Sequence, residues 1–263
     1  CGPSTIQFRN KSDPHDSRVN RNQMQFQWNF GNGFSSRNVD ASTTYTPAID
    51  RDSTYDVQLI GLSEHGCADT TRNRITIYGK PSAAMQLSQN AACPDVPTTL
   101  KAQAPLGAQF QWFTGTGDTL QGDSVGYAFG NQGLQDTVTL ISLQVTSARG
   151  CAGDLVQKPF VVHPRPIARF KPMPSTACAP AASLFVNKSL LASQFHWDFG
   201  DGDSAQVRNP RHTFHGNGLQ DTSYRVRLLA VTRNGCVDRI SDSIKVLPKP
   251  KSAFSLKRSG NCI

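Results

Sequence analysis

Asp198, Asp201 and Asp203 fall within six residues of one another, and three carboxylates around one turn are hard oxygen ligands of the kind that hold Ca²⁺. Aspartates next to glycine also cap their own turns, which asks nothing of a metal. His196, His212 and His215 form the close histidine group of the chain, and a zinc site would need their imidazoles to converge on one point. The seven cysteines, Cys1, Cys67, Cys93, Cys151, Cys178, Cys236 and Cys262, include no Cys-x-x-Cys pair of the metal-binding sort. Their regular spacing points instead to a disulfide framework, and so to an oxidising compartment outside the cytoplasm. Asn10-Lys-Ser12 and Asn187-Lys-Ser189 fit the N-glycosylation pattern, although an asparagine there also suits the end of a strand. No His-Glu-x-x-His helix, phosphate loop or dinucleotide fingerprint is present, so no enzymatic activity is expected.

These residues are positioned by a repeating framework. Phe195-His-Trp-Asp-Phe-Gly-Asp-Gly202 recurs as Phe26-Gln-Trp-Asn-Phe-Gly-Asn-Gly33 and, more loosely, as Phe110-Gln-Trp-Phe-Thr-Gly-Thr-Gly117. The three tryptophans of the chain, Trp28, Trp112 and Trp197, are thus 84 and 85 residues apart (112 − 28 and 197 − 112). One tryptophan per period is the mark of a repeated small domain with an aromatic core anchor, and a buried anchor is not free to stack on sugars. Each copy closes on Gly-x-Gly, which lets a strand end in a tight turn. The positions of Asp198 and Asp201 hold Asn29 and Asn32 in the first copy and Phe113 and Thr116 in the second, so any calcium site would be confined to the third.

Two more features keep the period. Phe129–Cys151 and Phe214–Cys236 align without a gap at an offset of 85 and share Gly-Leu-Gln-Asp-Thr. Tyr224-Arg-Val-Arg-Leu and Tyr55-Asp-Val-Gln-Leu alternate as half-buried strands, with both tyrosines expected in the core. A Gly-Cys turn then leads into a last strand: Arg74-Ile-Thr-Ile-Tyr78, Pro159-Phe-Val-Val-His163 or Ser243-Ile-Lys-Val-Leu247. Proline joints follow at Gly79-Lys-Pro-Ser82, His163-Pro-Arg-Pro166 and Leu247-Pro-Lys-Pro250, and proline keeps such joints short and extended. After each comes an alternating opening strand, the last being Ser252-Ala-Phe-Ser-Leu-Lys257. Cys1-Gly-Pro-Ser-Thr-Ile-Gln-Phe-Arg-Asn-Lys-Ser12 shares Cys, Pro, Phe, Asn, Lys and Ser with Cys178 to Ser189, so the chain is expected to open at the second strand of a domain.

Composition agrees with many short strands. Glycine and proline number 21 and 16, hydrophobic residues make up 37%, and helical periodicity is nearly absent. No apolar run approaches the length of a membrane span. The 27 Lys and Arg against 19 Asp and Glu give a net charge of +8, which would favour an anionic partner such as an acidic surface polysaccharide. The cations are scattered, as at Arg72, Arg74, Arg149, Arg165 and Arg225, and read as a solvated surface. No nucleic-acid motif is present.

Trp197-Asp-Phe-Gly-Asp-Gly202, Asn209-Pro-Arg-His-Thr-Phe214 and Tyr224-Arg-Val-Arg-Leu228 together resemble the PKD (polycystic kidney disease) domain, and the resemblance covers 166–250. The first copy keeps Trp28, Phe30, Gly31, Gly33 and Tyr55; the second keeps mainly Trp112 and its latter half. The resemblance implies an all-β chain of tandem Ig-like β-sandwiches of PKD type, three in a row. The domains would be 1–79 (first strand missing), 80–165 (degenerate) and 166–250, with 251–263 opening a fourth. The Cys-x-Pro and Gly-Cys elements also resemble PKD repeats of Bacteroidota surface adhesins and gliding-motility proteins.

The cysteines form two classes: Cys1, Cys93, Cys178 and Cys262 precede the second strand, whereas Cys67, Cys151 and Cys236 follow the glycine of the last hairpin. Counting alone suggests bonds within each domain, Cys1 with Cys67, Cys93 with Cys151 and Cys178 with Cys236. The Ig-like sandwich that the resemblance implies puts the two classes at opposite ends, roughly 25 Å apart across a strand of eight residues, far beyond the reach of a disulfide. Bonds between successive domains, Cys1 to Cys151 and Cys93 to Cys236, are therefore favoured, with Cys67, Cys178 and Cys262 left for partners beyond these three repeats. The expected role is a non-catalytic stalk, filament or adhesin on a bacterial surface, with neighbouring repeats, other copies of itself or surface polysaccharide as partners. The alternative is an accessory region of a secreted hydrolase.

Overall fold

A computed structural model describes residues 1–13, 23–216 and 218–255. No α-helix occurs among them, and the strands recur in the order set by the tryptophan period. The first period contains β1 (Ser4–Phe8), β2 (Gln25–Asn29), β3 (Ser35–Ser36), β4 (Ala41–Tyr45), β5 (Ser53–Leu62) and β6 (Ala68–Ile77). The second contains β7 (Ala84–Leu87), β8 (Ala91–Ala92), β9 (Pro97–Gln103), β10 (Gln109–Phe113), β11 (Thr119–Gln121), β12 (Ser124–Ala128), β13 (Thr137–Thr146) and β14 (Val156–Val162). The third contains β15 (Phe170–Met173), β16 (Thr176–Cys178), β17 (Ala181–Asn187), β18 (Gln194–Asp198), β19 (Ser204–Ala205), β20 (Arg211–Phe214), β21 (Thr222–Val231) and β22 (Val237–Leu247).

Six sheets result. Their orders are β1-β4 and β3-β2-β5-β6, then β12-β9-β7 and β11-β10-β13-β14-β8, then β15-β17-β20 and β16-β22-β21-β18-β19. Each period thus supplies one smaller and one larger sheet, the pairing expected of an Ig-like sandwich. The last strands are longer than the sequence suggests: β6 begins at Ala68 because it pairs with β5 along its whole length, from Ser53↔Ile77 to Leu62↔Ala68. The opening strand of the third period starts late, at Phe170, with Ile167 held only by an isolated bridge to Leu190.

The tryptophan strand sits at the same register in every period. Trp28 is opposite Leu59, Trp112 opposite Leu143 and Trp197 opposite Leu228. All three tryptophans are buried, at 6%, 0% and 2% exposure. Each indole still carries a polar N–H, which needs an acceptor once it leaves water. In every period it donates to a carbonyl ten residues downstream: Trp28 to Asn38 at 3.1 Å, Trp112 to Gly122 at 2.9 Å and Trp197 to Val207 at 2.9 Å. Burial of one such side chain contributes on the order of 2–3 kcal/mol, which a small core cannot lose without consequence.

The chain divides into two compact units. One comprises 1–89, 98–127 and 139–160; the other comprises 90–97, 128–138 and 161–263. In the first unit Phe26, Trp28, Phe30, Ala41, Tyr45, Val57, Leu59 and Ile77 form one apolar cluster. Tyr45 is fully buried, its hydroxyl donates to the Phe30 carbonyl at 3.0 Å, and burial, helped by neighbouring Tyr55, pushes its pKa up to about 12. In the second unit Phe185, Phe195, Trp197, Phe199, Phe214, Val226, Leu228 and Ile244 are core members. Tyr55 and Tyr224 are half-buried at the edges of these clusters, the first tilted beside Tyr45 and the second stacked beside Phe214. A tyrosine at a rim buries its ring and keeps its polar end near acceptors, and the hydroxyl of Tyr224 donates to the His215 carbonyl.

Candidate functional site

The Gly-Cys turn is built from the same bonds three times. The glycine takes a left-handed backbone, with φ of 83° at Gly66 and 80° at Gly150 and Gly235, a conformation that costs a side-chain-bearing residue dearly. Its amide donates back to the carbonyl of Ser63, Ser147 or Thr232. The cysteine amide donates to the hydroxyl of that same residue, at 3.1 Å for Cys67 and Cys151 and 3.0 Å for Cys236. The sulfur is thereby presented on a fixed scaffold at the end of the sandwich.

In the first unit Cys151 is bonded to Cys1, with Cα atoms 5.5 Å apart. In the second, Cys236 is bonded to Cys93, with Cα atoms 5.3 Å apart. Each bond joins the segment before a second strand to the Gly-Cys turn of the next period, and the two bonds close spans of 150 and 143 residues. A loop of that size, closed alone, restricts the unfolded chain by about 5 kcal/mol in the loop-entropy model. Cys151 and Cys236 are buried, at 0% and 1% exposure. Cys67 and Cys178 are free and exposed; Cys262 lies outside the described residues.

Polar contacts surround each bond. In the first unit Lys80 reaches Asp154 at 3.3 Å, Arg149 lies 5.0 Å over the Tyr78 ring, and both Asp50 oxygens accept bonds from Ser82. Those two bonds hold the Asp50 carboxyl below its ordinary pKa. Gly153 packs so closely that a Cβ would stand 2.4 Å from the Pro81 carbonyl oxygen. In the second unit Asp136 Oδ1 and Asn234 Nδ2 each lie 2.9 Å from His163 Nδ1, and Arg165 pairs with Asp95. Arg149 and Asn234, each immediately before its turn glycine, thus meet Tyr78 and His163, each the residue directly after its period's last strand. Several of the scattered arginines are engaged locally: besides Arg149 and Arg165, Arg74 pairs with Asp56 and Arg225 donates to Ser241.

The three aspartates do not act together. Asp198 follows Trp197 on β18 and so faces the other way, capping the Gly200 amide and pairing with Arg227 at 3.2 Å. Asp201 and Asp203 instead converge with His212, the potential ligand atoms lying within 4.8 Å of one another. Within this group Asp201 already binds His212 Nε2 at 2.6 Å and accepts the Asp203 amide. Burial pushes the Asp201 pKa up, but its bonds from His212 and the Asp203 amide outweigh that and hold the carboxyl below its usual range. The same step, eleven residues apart, is bridged in the other periods by Asn32 Nδ2 with Thr43 at 3.2 Å and by Thr116 with the Tyr127 hydroxyl at 3.0 Å. The group therefore serves as a clasp between a turn and the following strand, chemically different in each period. Among the described residues, His196 and His215 do not join it in a ligand group.

Asn10 and Asn187 are both buried to 7% exposure, and each accepts the amide two residues on through its Oδ1, which suits a strand end and leaves no room for a glycan. Gly122-Asp-Ser-Val-Gly126 has the Gly-x-Ser-x-Gly spacing of a nucleophile elbow. It leads into strand β12 and not from a strand into a helix, so its serine has no elbow to stand on. Residues 251–255 carry no strand, and the rest of the expected fourth-repeat opening lies outside the described residues.

A family model for the PKD domain matches residues 165–246. No curated protein matches the chain. Among solved structures, the chain is similar to the PKD1 domain from the Vibrio cholerae metalloprotease PrtV, at 24% identity over 32% of this chain and 98% of that one, with a TM-score of 0.26. It is also similar to an I-band fragment from titin, at 10% identity over 86% and 88% of the two chains, TM-score 0.42. The full ectodomain of mouse nectin-like molecule 4 gives 12% identity over 96% and 97%, TM-score 0.36. The family model matched is that of a PKD domain and names no catalytic family. Residues 165–246 match the model of the PKD domain, in a chain whose fold is all-β and Ig-like.

Proposed function

We propose that this chain is a non-catalytic stretch of a long extracellular repeat protein, a stiff stalk, filament or adhesin on a bacterial cell surface. Its units of work are three sandwiches, 1–79, 80–165 and 166–250, with a further repeat opening at 251–263. The observation that carries this reading is the pair of disulfides running from one period into the next. A bond within a sandwich would harden that sandwich alone, whereas a bond between periods bypasses the proline joint and limits how far neighbours can swing apart. A PKD domain and disulfides together suit an extracellular setting, and no helix among the described residues is long and apolar enough to cross a membrane. Tension would be carried by the sandwiches and the bridges, with the basic surface left for contact with copies of the chain or with surface polysaccharide.

The test exchanges the segment in its parent protein. A spacer tolerates replacement of residues 1–250 by an unrelated array of three rigid sandwiches and fails with a flexible Gly/Ser linker of equal residue number. Loss of surface function with the unrelated array, as complete as on deletion, would show that a ligand-binding face of this segment is needed instead.

A further inference from the structure

Basic charge that lies scattered in the sequence is gathered on one face of the third period. In its larger sheet β18, β21 and β22 run side by side, and Trp197 and Leu228 point into the core. Strand alternation therefore turns His196, Asp198, Arg225, Arg227 and Leu229 to the opposite face. Cross-strand pairing sets Arg239 beside Leu229, Ser241 beside Arg227 and Ser243 beside Arg225, and Lys245, opposite Ser223, continues the face at one end. Arg225, Arg227, Arg239 and Lys245 are all exposed.

Carboxylates do not cancel this charge. Asp198 takes Arg227 at 3.2 Å and Asp221 takes Lys245 at 2.7 Å. Arg225 is steadied through its Nε, which donates to Ser241 at 3.1 Å and leaves the terminal guanidinium nitrogens for another acceptor. Among the described residues, neither Arg225 nor Arg239 has a carboxylate partner. The face is a property of the third period and not of the repeat. The places of Arg225 and Arg227 hold Asp56 and Gln58 in the first period and Leu140 and Ser142 in the second. In the first, Asp56 neutralises Arg74 across the sheet at 2.9 Å.

An open trough of about 400 Å³ lies over the face, lined by His196, Asp198, Arg227, Leu229, Arg239 and Ser241. Same-face neighbours stand about 7 Å apart along a strand and about 5 Å apart across the sheet, so the cations form a grid. A small anion would use one arginine of the grid, whereas a polymer with charges at regular intervals uses several. Guanidinium forks hold carboxylates through two parallel hydrogen bonds. Half-buried Leu229 suits the apolar face of a sugar ring, and His196, Asp198 and Ser241 suit its hydroxyls. The face carries no Trp, Tyr or Phe on which bases could stack, which argues against single-stranded nucleic acid.

We propose that this face docks an extended acidic polysaccharide whose sugars carry carboxylates, a polyuronate outside the cell. Such docking rests on the extracellular setting given above and names the partner of the basic surface, but it is accessory to spanning distance and does not depend on the stalk role.

The test titrates polygalacturonate into the full oxidised chain by calorimetry, in calcium-free buffer at about 0.15 M salt, where attraction beyond roughly 8 Å is largely screened. Wild type should bind. Arg225→Gln with Arg239→Gln should weaken binding about tenfold or more. Arg72→Gln with Lys158→Gln, which removes the same charge from exposed positions elsewhere, should change it less than about twofold. Melts of both double variants should match wild type, since all four side chains are exposed. No binding by wild type, or equal loss in the two double variants, would overturn the proposal. Tighter binding of single-stranded DNA would mark a nucleic-acid surface instead, and tighter binding of dextran sulfate a surface for polyanions in general; either result would also overturn it. Exchange of the segment for unrelated sandwiches reads the spanning role separately, so failure here leaves that reading standing.

Discussion

Pulled from its two ends, the oxidised chain should stop far short of the length its residues allow, and the shortfall should depend on the bridges in a non-additive way. A taut path crosses the first bridge from Cys1 to Cys151, returns along 58 residues to Cys93, crosses the second bridge to Cys236 and runs 27 residues to Ile263, 85 steps in all. At about 3.5 Å per residue that is roughly 300 Å. Segments of 92, 58 and 85 residues connect the two bridges in parallel, and the shortest one sets the limit. Cys1→Ser leaves a path of 92 and then 27 residues, roughly 420 Å. Cys236→Ser leaves the 112 residues after Cys151, roughly 390 Å. Either change alone therefore gains about 100 Å, whereas both together free 262 steps, roughly 920 Å, a gain of about 600 Å. Optical tweezers read these limits from the final contour length after full unfolding, in a background of Cys67→Ser, Cys178→Ser and Cys262→Ser with handles at the termini. Single-variant gains that sum to the double-variant gain would refute the reasoning, because only loops that do not overlap behave so.

Three further outcomes follow from the packing. Gly153→Ala drives a methyl group into the Pro81 carbonyl and should cost about 1–3 kcal/mol in urea denaturation, whereas Gly150→Ala should suffer from its backbone angle with nothing to strike. Asp201→Asn keeps the shape of the clasp but loses its charge, and should destabilise the chain by about 1 kcal/mol at neutral pH. The folded pKa of Asp201 lies below the ordinary 3.8, so its contribution is complete above that value and fades as pH falls through the lower folded one; the difference between wild type and variant should close there in a series of melts. Trp112→Phe removes a buried indole and orphans the Gly122 carbonyl, with an expected loss of about 2–3 kcal/mol by urea titration.

Much of this architecture is written in residues that cannot be exchanged freely. A tryptophan flanked by alternating polar residues and followed by Gly-x-Gly can only be a strand with one buried face and a sharp end, and Trp28, Trp112 and Trp197 show it three times over. The polarity of such strands also separates the two cysteine classes, which is why bonds from period to period follow once a sandwich is granted. The clasp was hidden because its partners are eleven residues apart and differ each time: Asn with Thr, Thr with Tyr, Asp with His. Grouping Asp198 with Asp201 and Asp203 by sequence distance overlooked strand alternation, which sends Asp198 to Arg227. Alternation was the available signal there, whereas the place of Asp201 beside His212 depends on how β20 lies against the turn, a matter of tertiary register.

Digestion of the unreduced chain and mass mapping of its linked peptides tests the central claim most directly. Bonds between periods give the peptide of Cys1 joined to that of Cys151 and the peptide of Cys93 joined to that of Cys236. Recovery of Cys93 joined to Cys151 would contradict it, since the sandwiches would then be locked singly and their neighbours left to hinge.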